Sequence, residues 1–301
     1  MRPGALALAI AQSIADRTRE DFEATATERV AGGSIHEAWQ LTGGTPRGER
    51  HWFVKVAEAQ ARPMFEAEAR GLGALAEASA LRVPAACLVD ADDERSWLVL
   101  EWLDLEPLAS ASGARLGEGL ARQHRVTRER FGADADNFIG ATPQANGWQD
   151  DWLAFWRQRR LVPQLRLAAK NRLPSRTIDR GERLADDCEP FFRGHRPQAS
   201  LLHGDLWGGN AAALPDGTPV AFDPAMFFGD READLAMTEL FGGFPPDFQA
   251  AYGNAWPLAD GYAVRRDFYN LYHVLNHANL FAGAYVAQAG HCIERLLSEL
   301  A

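Results

Sequence analysis

The sequence predicts an α+β protein of two lobes, a small β-rich lobe followed by a larger, mostly helical one. Three observations carry this. The chain has 301 residues, more than one compact core usually fills. Its first hundred residues alternate short apolar runs of strand type with helical stripes. After "DLEPLASASG" (104–113), a small and turn-rich stretch, apolar residues recur mostly at helical spacing. The lobes are therefore expected at 1–103 and 104–301.

The elements follow in order. "ALALAIAQSIADRTRE" reads as an amphipathic first helix and only briefly imitates a signal peptide. "ERVAGGSIHEAWQLT" (28–42) reads as a hairpin bent at Gly32-Gly33, and residues 50–57 as a third strand. Pro63 is placed to start a helix with Phe65, Leu72 and Leu75 on one stripe. "ACLVDA" and "SWLVLEWL" are two short apolar strands. Helices are expected over 113–130, 148–169 and 176–194. A short strand, "PVAFD", and further helices close the chain. The aromatic set Trp148, Trp152, Phe155 and Trp156 has helical spacing and reads as core.

Composition excludes several function classes. Net charge is −10, which argues against a nucleic-acid groove or an anionic membrane surface. No apolar run approaches a membrane span, so a cytoplasmic protein is expected. Cys87, Cys188 and Cys292 are widely separated and fit reduced thiols better than disulfides or a zinc site. Of 31 basic residues, Lys55 and Lys170 alone are lysines. Lys170 reads as an exposed helix end. Lys55, in "HWFVKVA", sits in a buried strand and needs a partner.

The chemistry concentrates in "LLHGDLWGGN" (201–210). His203-Gly204-Asp205-x-x-x-x-Asn210 has the Asp-to-Asn spacing of the protein-kinase catalytic loop H-R-D-x-x-x-x-N. In such a loop the aspartate accepts the proton of the attacking hydroxyl and the asparagine oxygen binds Mg²⁺. Thirteen residues on, Asp223 ends an apolar strand in the position of the second metal ligand. Lys55 matches the lysine that contacts nucleotide phosphates. Glu68 on the next helix matches its carboxylate partner, with Glu66 as the alternative. Gly32, Gly33 and Ser34 form the turn whose backbone can approach phosphates. Adenine is expected against "LEWL", at backbone groups near Glu101 and Leu103. His203 reads as structural. Asp230 and Asp234 in "GDREADLAM" read as helix caps or, for Asp234, as a brace for the loop. His273 and His277 lack the glutamate of a zinc motif and read as a polar helix face.

Taken together, "GGSIHEAWQL", "FVKV", "MFEAEARGL", "LVLEWL", "DNFIG", "LLHGDLWGGN", "FDPAMFFGDREADLAM" and "YHVLNHANLF" resemble the fructosamine kinases, or ketosamine-3-kinases. These are small-molecule kinases close to the aminoglycoside phosphotransferases. The resemblance implies a protein-kinase-like bilobal fold, ATP and Mg²⁺ as cofactors, and phosphorylation of a sugar's 3-hydroxyl. The acceptor it implies is a ketoamine, either a small molecule or a glycated protein lysine. Trp207, two residues beyond the base, is placed to line the sugar site. Some members carry a cysteine after the hairpin glycines. Ser34 stands there in this chain, so redox regulation does not carry over. Alternatives are an aminoglycoside- or choline-type phosphotransferase, a nucleotide-binding pseudokinase, or a metal-dependent hydrolase. The sequence leaves the oligomeric state open.

Overall fold

A five-stranded antiparallel sheet forms the first part of the chain. The computed structural model describes residues 4–30 and 36–300. The strands are β1 (Glu23–Arg29), β2 (Glu37–Thr45), β3 (Gly48–Glu58), β4 (Ala86–Ala91) and β5 (Arg95–Glu101), in spatial order β1-β2-β3-β5-β4. Helix α1 (Ala5–Thr18) covers one face and α2 (Arg62–Ala78) the other. Strand alternation sorts the side chains between them. Trp52, Val54, Val56, Trp97 and Val99 face α1, meeting Ala7, Ile10, Ala11 and Ile14 at helical spacing. The intervening Phe53, Leu98 and Leu100 join Phe65, Leu72 and Leu75 on the α2 side. Lys55 is in phase with Phe53, so its strand register points it at α2.

β1 and β2 form the expected hairpin but run longer, with Arg29 opposite Trp39 and the Val30 amide bonded to the Ala38 carbonyl at 2.9 Å. Gly32, Gly33 and Ser34 lie outside the described residues. Pro63 stands in the first turn of α2, as its fixed φ favours.

The stretch 104–113 is shorter as a linker than the sequence suggests. Helix α3 (Ser110–His124) begins within it, because Ser112 Oγ accepts from the Ala109 amide at 2.9 Å and closes the first turn. The remaining linker is pinned: Glu106 and Ala213 exchange two backbone bonds, at 2.8 and 2.9 Å. The helix expected to reach residue 130 stops at His124. Three short strands follow, β6 (Thr127–Arg128), β7 (Asn137–Ile139) and β8 (Thr142–Gln144). Strands of two or three residues carry no readable period.

α4 (Trp152–Trp156) runs through a π turn, Arg157–Leu161, into α5 (Val162–Lys170). Trp148 precedes that helix and is only partly buried, with its indole N–H on Asp134. Trp152, Phe155 and Trp156 are buried core, as read. α6 (Ser175–Asp187) gives way at Cys188 to a 3₁₀ turn containing Pro190. Then come β9 (Ala199–Leu202), β10 (Ala211–Ala213), β11 (Pro219–Ala221), β12 (Phe227–Gly229) and helices α7 (Arg231–Leu240), α8 (Pro246–Ala255), α9 (Tyr262–Phe281) and α10 (Ala284–Ser298). Among the described residues no helix is long and apolar enough to cross a membrane. Two connections matter for chemistry. Residues 203–210 link β9 to β10, and residues 222–226 link β11 to β12.

Candidate active site

Lys55 leaves β3 toward α2 and meets two carboxylates. Its Nζ lies 2.7 Å from Glu68 Oε1 and 2.6 Å from Asp223 Oδ1. Glu66, the other candidate on that helix, pairs instead with Arg62 at 2.9 Å. Burial alone would lower the Lys55 pKa, but Asp223 and Glu68 outweigh it and hold the ammonium charged. Two carboxylates share one ammonium, and the consequence falls on Glu68. Burial raises its pKa against the pull of Lys55, with Asp223 adding to the rise.

Asp223 is not on the strand that leads to it, since β11 ends at Ala221. It has φ +59, the left-handed region, which aspartate tolerates better than most residues. Its side chain is 43% exposed.

The loop 203–210 is held from below. Asp234 in α7 accepts from the backbone N–H of His203 at 2.7 Å and of Gly204 at 2.8 Å. It also bonds His124 Nε2 at 3.1 Å, and His124 continues to the Tyr252 hydroxyl at 2.8 Å. Asp234 is thus the brace, while Asp230 caps α7 by accepting from the Glu232 amide. Burial would raise the Asp234 pKa, but the His124 and Gly204 hydrogen bonds hold it below the usual carboxylate range. His203 Nδ1 accepts from the Asp205 amide at 3.3 Å, so Nε2 carries the proton and donates to the Phe222 carbonyl at 3.0 Å. That bond ties the two loops together. Gly204 has φ +83, and a Cβ there would stand 2.1 Å from the Ala225 carbonyl oxygen, so no other residue fits.

Replacing Asp234 by asparagine puts an N–H₂ where a backbone N–H donates. We expect a loss of ~1.5–3 kcal/mol at pH 7, the scale of a hydrogen bond to a charged group. Because its folded pKa is depressed, this stability is present above about pH 4 and fades as pH falls through the folded value. Denaturant melts at pH 7 and pH 3.5 check both parts: the deficit should be large at the first and smaller at the second.

Asp205 and Asn210 are directly connected. Asn210 Nδ2 donates to the Asp205 carbonyl at 2.9 Å and to its Oδ2 at 3.3 Å. The amide nitrogen is committed, so the side-chain oxygen is the atom of Asn210 that could hold a metal ion. Burial, then the Asp223 charge, pushes the Asp205 carboxyl up to about 7, with the Asn210 hydrogen bond opposing. Gly208 and Gly209 relieve contacts rather than backbone torsion. A Cβ on Gly209 would meet the Trp207 ring at 2.2 Å, and one on Gly208 the Gly242 carbonyl at 2.7 Å.

Trp207 is 39% exposed, so it is not a core residue. Its ring meets Phe241 edge-on at 6.1 Å, and Phe241 meets His277 at 5.0 Å. His277 reaches Tyr285 at 4.9 Å and Phe281 at 5.6 Å. The polar helix face expected at His273 and His277 is therefore corrected. His273 is buried, and His277 joins an aromatic row that begins beside the loop. Nothing local in the sequence relates Phe241 or His277 to Trp207.

At the end of β5, the Glu101 N–H is taken by the Ala85 carbonyl at 2.9 Å, and its carboxylate by Arg82 and the Ala85 amide. The Glu101 amide cannot serve a ligand. Among the described residues the Leu103 N–H has no hydrogen-bond partner.

A family model described as fructosamine kinase matches residues 6–299. The chain is 39% identical over 292 residues to a Vibrio parahaemolyticus protein named "Probable ketoamine kinase", covering 96% of this chain and 99% of that one. It is 36% identical over 279 residues to "Protein-ribulosamine 3-kinase, chloroplastic" of Oryza sativa subsp. indica, covering 92% of this chain and 80% of that protein. The crystal structure of a "Putative fructosamine-3-kinase" from Haemophilus somnus superposes with a TM-score of 0.87 at 29% identity, covering 96% of each chain.

Proposed function

The chain belongs to the fructosamine kinase family, and from that premise we propose that it phosphorylates the 3-hydroxyl of a ketoamine sugar, using ATP and Mg²⁺. The acceptor is a fructosamine or ribulosamine, free or on a glycated protein lysine, and the role is deglycation repair in the cytoplasm. One observation carries the reading: Lys55 pairs with Glu68 of α2 at 2.7 Å beside Asp223 at 2.6 Å, which brings together the lysine–carboxylate pair and the aspartate that kinase phosphoryl transfer uses.

Residues 1–103 act as the nucleotide lobe and 104–301 as the acceptor lobe. Asn210 and Asp223 fit Mg²⁺, because an amide oxygen and a partly exposed carboxylate are hard oxygen donors. When bound there, the ion neutralises charge on the nucleotide phosphates. Lys55, fixed by Glu68, orients the α/β-phosphates, and backbone contacts to them from Gly32, Gly33 and Ser34 are the expectation the sequence alone supplies. Adenine lies against the β5 end, with the Leu103 N–H as its donor. Asp205 takes the sugar hydroxyl proton. Its carboxyl, pushed up to about 7, is a stronger base than an ordinary aspartate and is poised near neutral pH. The Asp223→Asn variant removes one cause of the raised value, so the acidic limb of its residual kcat/KM profile should move to lower pH. An unmoved limb means that Asp223 does not set it.

Trp207 forms one wall of the sugar site, and the row Phe241–His277 extends it. Trp207→Ala should raise the acceptor KM about 10-fold, which corresponds to about 1.4 kcal/mol of binding. The KM for ATP and the melting temperature should change little. If both substrates and stability suffer together, the ring is structural.

The reading is tested by ATP consumption over a panel of ketoamines, aminoglycosides and amino alcohols. Turnover on ketoamines is expected. Robust transfer to an aminoglycoside or choline alone would move the chain to that acceptor class.

A further inference from the structure

Below the Asp223 loop lies a buried layer of side-chain amides that the transfer chemistry does not use. Asn137 opens β7, Gln144 closes β8 and Asn146 follows. Asn137 Oδ1 accepts from Gln144 Nε2 at 2.7 Å and from Asn146 Nδ2 at 2.8 Å. Asn137 Nδ2 donates to the Met226 carbonyl at 2.9 Å, and Gln144 Nε2 reaches the Ala225 carbonyl at 3.4 Å. The Tyr272 hydroxyl donates to Gln144 Oε1 at 2.7 Å, and Asn137 Oδ1, itself oriented by the Met226 carbonyl, fixes the direction of that amide.

Arg160 completes the layer. It is fully buried, on the π turn between α4 and α5. It donates to Asn146 Oδ1 at 2.6 Å and to the Ala145 carbonyl at 2.7 Å, and its guanidinium lies 4.2 Å from the Phe227 ring centre. Among the described residues no carboxylate forms a salt bridge with it. A buried cation without a carboxylate is unfavourable, and a π turn is uncommon. Arg160 carries its charge against the Phe227 ring, four residues after Asp223.

The same segment is held from the other side. The Ala225 amide donates to the His203 carbonyl at 2.9 Å, and Gly204 packs on the Ala225 carbonyl. Asp223 itself has φ +59, a conformation that persists where neighbours over-determine it.

We propose that Asn137, Gln144, Asn146 and Arg160 are positioning residues for the metal carboxylate. Asn137 and Gln144 clamp the Met226 and Ala225 carbonyls, Asn146 and Arg160 hold Asn137 from behind, and together they keep Asp223 in its left-handed conformation beside Lys55. The inference rests on the metal role of Asp223 proposed above. It gives the "DNFIG" stretch, whose sequence pattern carries no catalytic group, a part in the reaction.

The test uses Asn137→Asp, which keeps the Oδ1 acceptor and removes the donor to Met226. Mn²⁺ binding is read by electron paramagnetic resonance with a non-hydrolysable ATP analogue present, beside kcat, metal-free nucleotide affinity and melting temperature. Mn²⁺ binding should weaken ~10–100-fold, the usual cost of losing a partner behind a metal ligand, with kcat falling in parallel. Metal-free nucleotide affinity should stay at the wild-type value. A folded variant with wild-type Mn²⁺ affinity, whatever its melting temperature, overturns the proposal. Asp223→Asn is measured alongside. If it binds Mn²⁺ like the wild type, the metal role itself is wrong. If it loses the ion while Asn137→Asp keeps it, only the positioning role is wrong. Should Asn137→Asp not fold, Gln144→Glu, which removes the donor to Ala225, is read by the same criteria.

Discussion

Asp205→Asn is expected to lower kcat by ~10²–10⁴, the range for loss of a general base, while ATP affinity and folding should stay close to wild type. The substitution is nearly isosteric. Asn210 still finds the Asp205 backbone carbonyl at 2.9 Å, and its weaker 3.3 Å bond has an amide oxygen to accept it. The brace from Asp234 touches His203 and Gly204, not the replaced side chain. Wild-type kcat/KM should fall as pH drops below about 7, because the base must be ionised. That acidic limb should disappear from the residual activity of the variant. Turnover that survives at near wild-type level would remove Asp205 from the base role.

The second large effect is at Lys55. Lys55→Arg conserves charge in a chain that otherwise uses arginine for all its basic residues but two. Even so, a ~10²-fold loss in kcat/KM is expected, the scale of a misplacement of about 1 Å at a reacting centre. Lys55 is 8% exposed, and its ammonium lies within 2.7 Å of oxygens on both α2 and the Asp223 loop. A planar guanidinium is wider and would have to push one carboxylate away. The variant should remain folded and show a raised KM for ATP. Wild-type kinetics in Lys55→Arg would show that only charge matters at this position.

Much of this site was legible because its parts sit on periodic elements. The side of β3 that Lys55 faces follows from alternation with Trp52, Val54 and Val56. The choice of Glu68 over Glu66 follows from its phase with Leu72 and Leu75 on α2. Asp205 and Asn210 were legible from their spacing, and the structure joins them by hydrogen bonds. Other features depend on contacts between residues far apart in sequence. Asp234 reaches back 31 residues to His203, and His124 joins it from 110 residues upstream. The left-handed backbone at Asp223 has no marker in "PVAFD". Short strands in 127–144 carry no period, so the amides they present to Ala225 and Met226 were not visible. Trp207 could be named from its position beside the base, but its partner Phe241 lies 34 residues on and His277 enters from α9.

We propose that these residues direct phosphate to one hydroxyl of a ketoamine. This is tested most directly by incubating the protein with MgATP and fructosyl-lysine and locating the phosphate by ³¹P-¹H correlation NMR. The expected product carries phosphate on the sugar's 3-hydroxyl, and Asp205→Asn yields none in the same time. Phosphate on a different hydroxyl, or ATP consumption with no phosphorylated ketoamine, would contradict it.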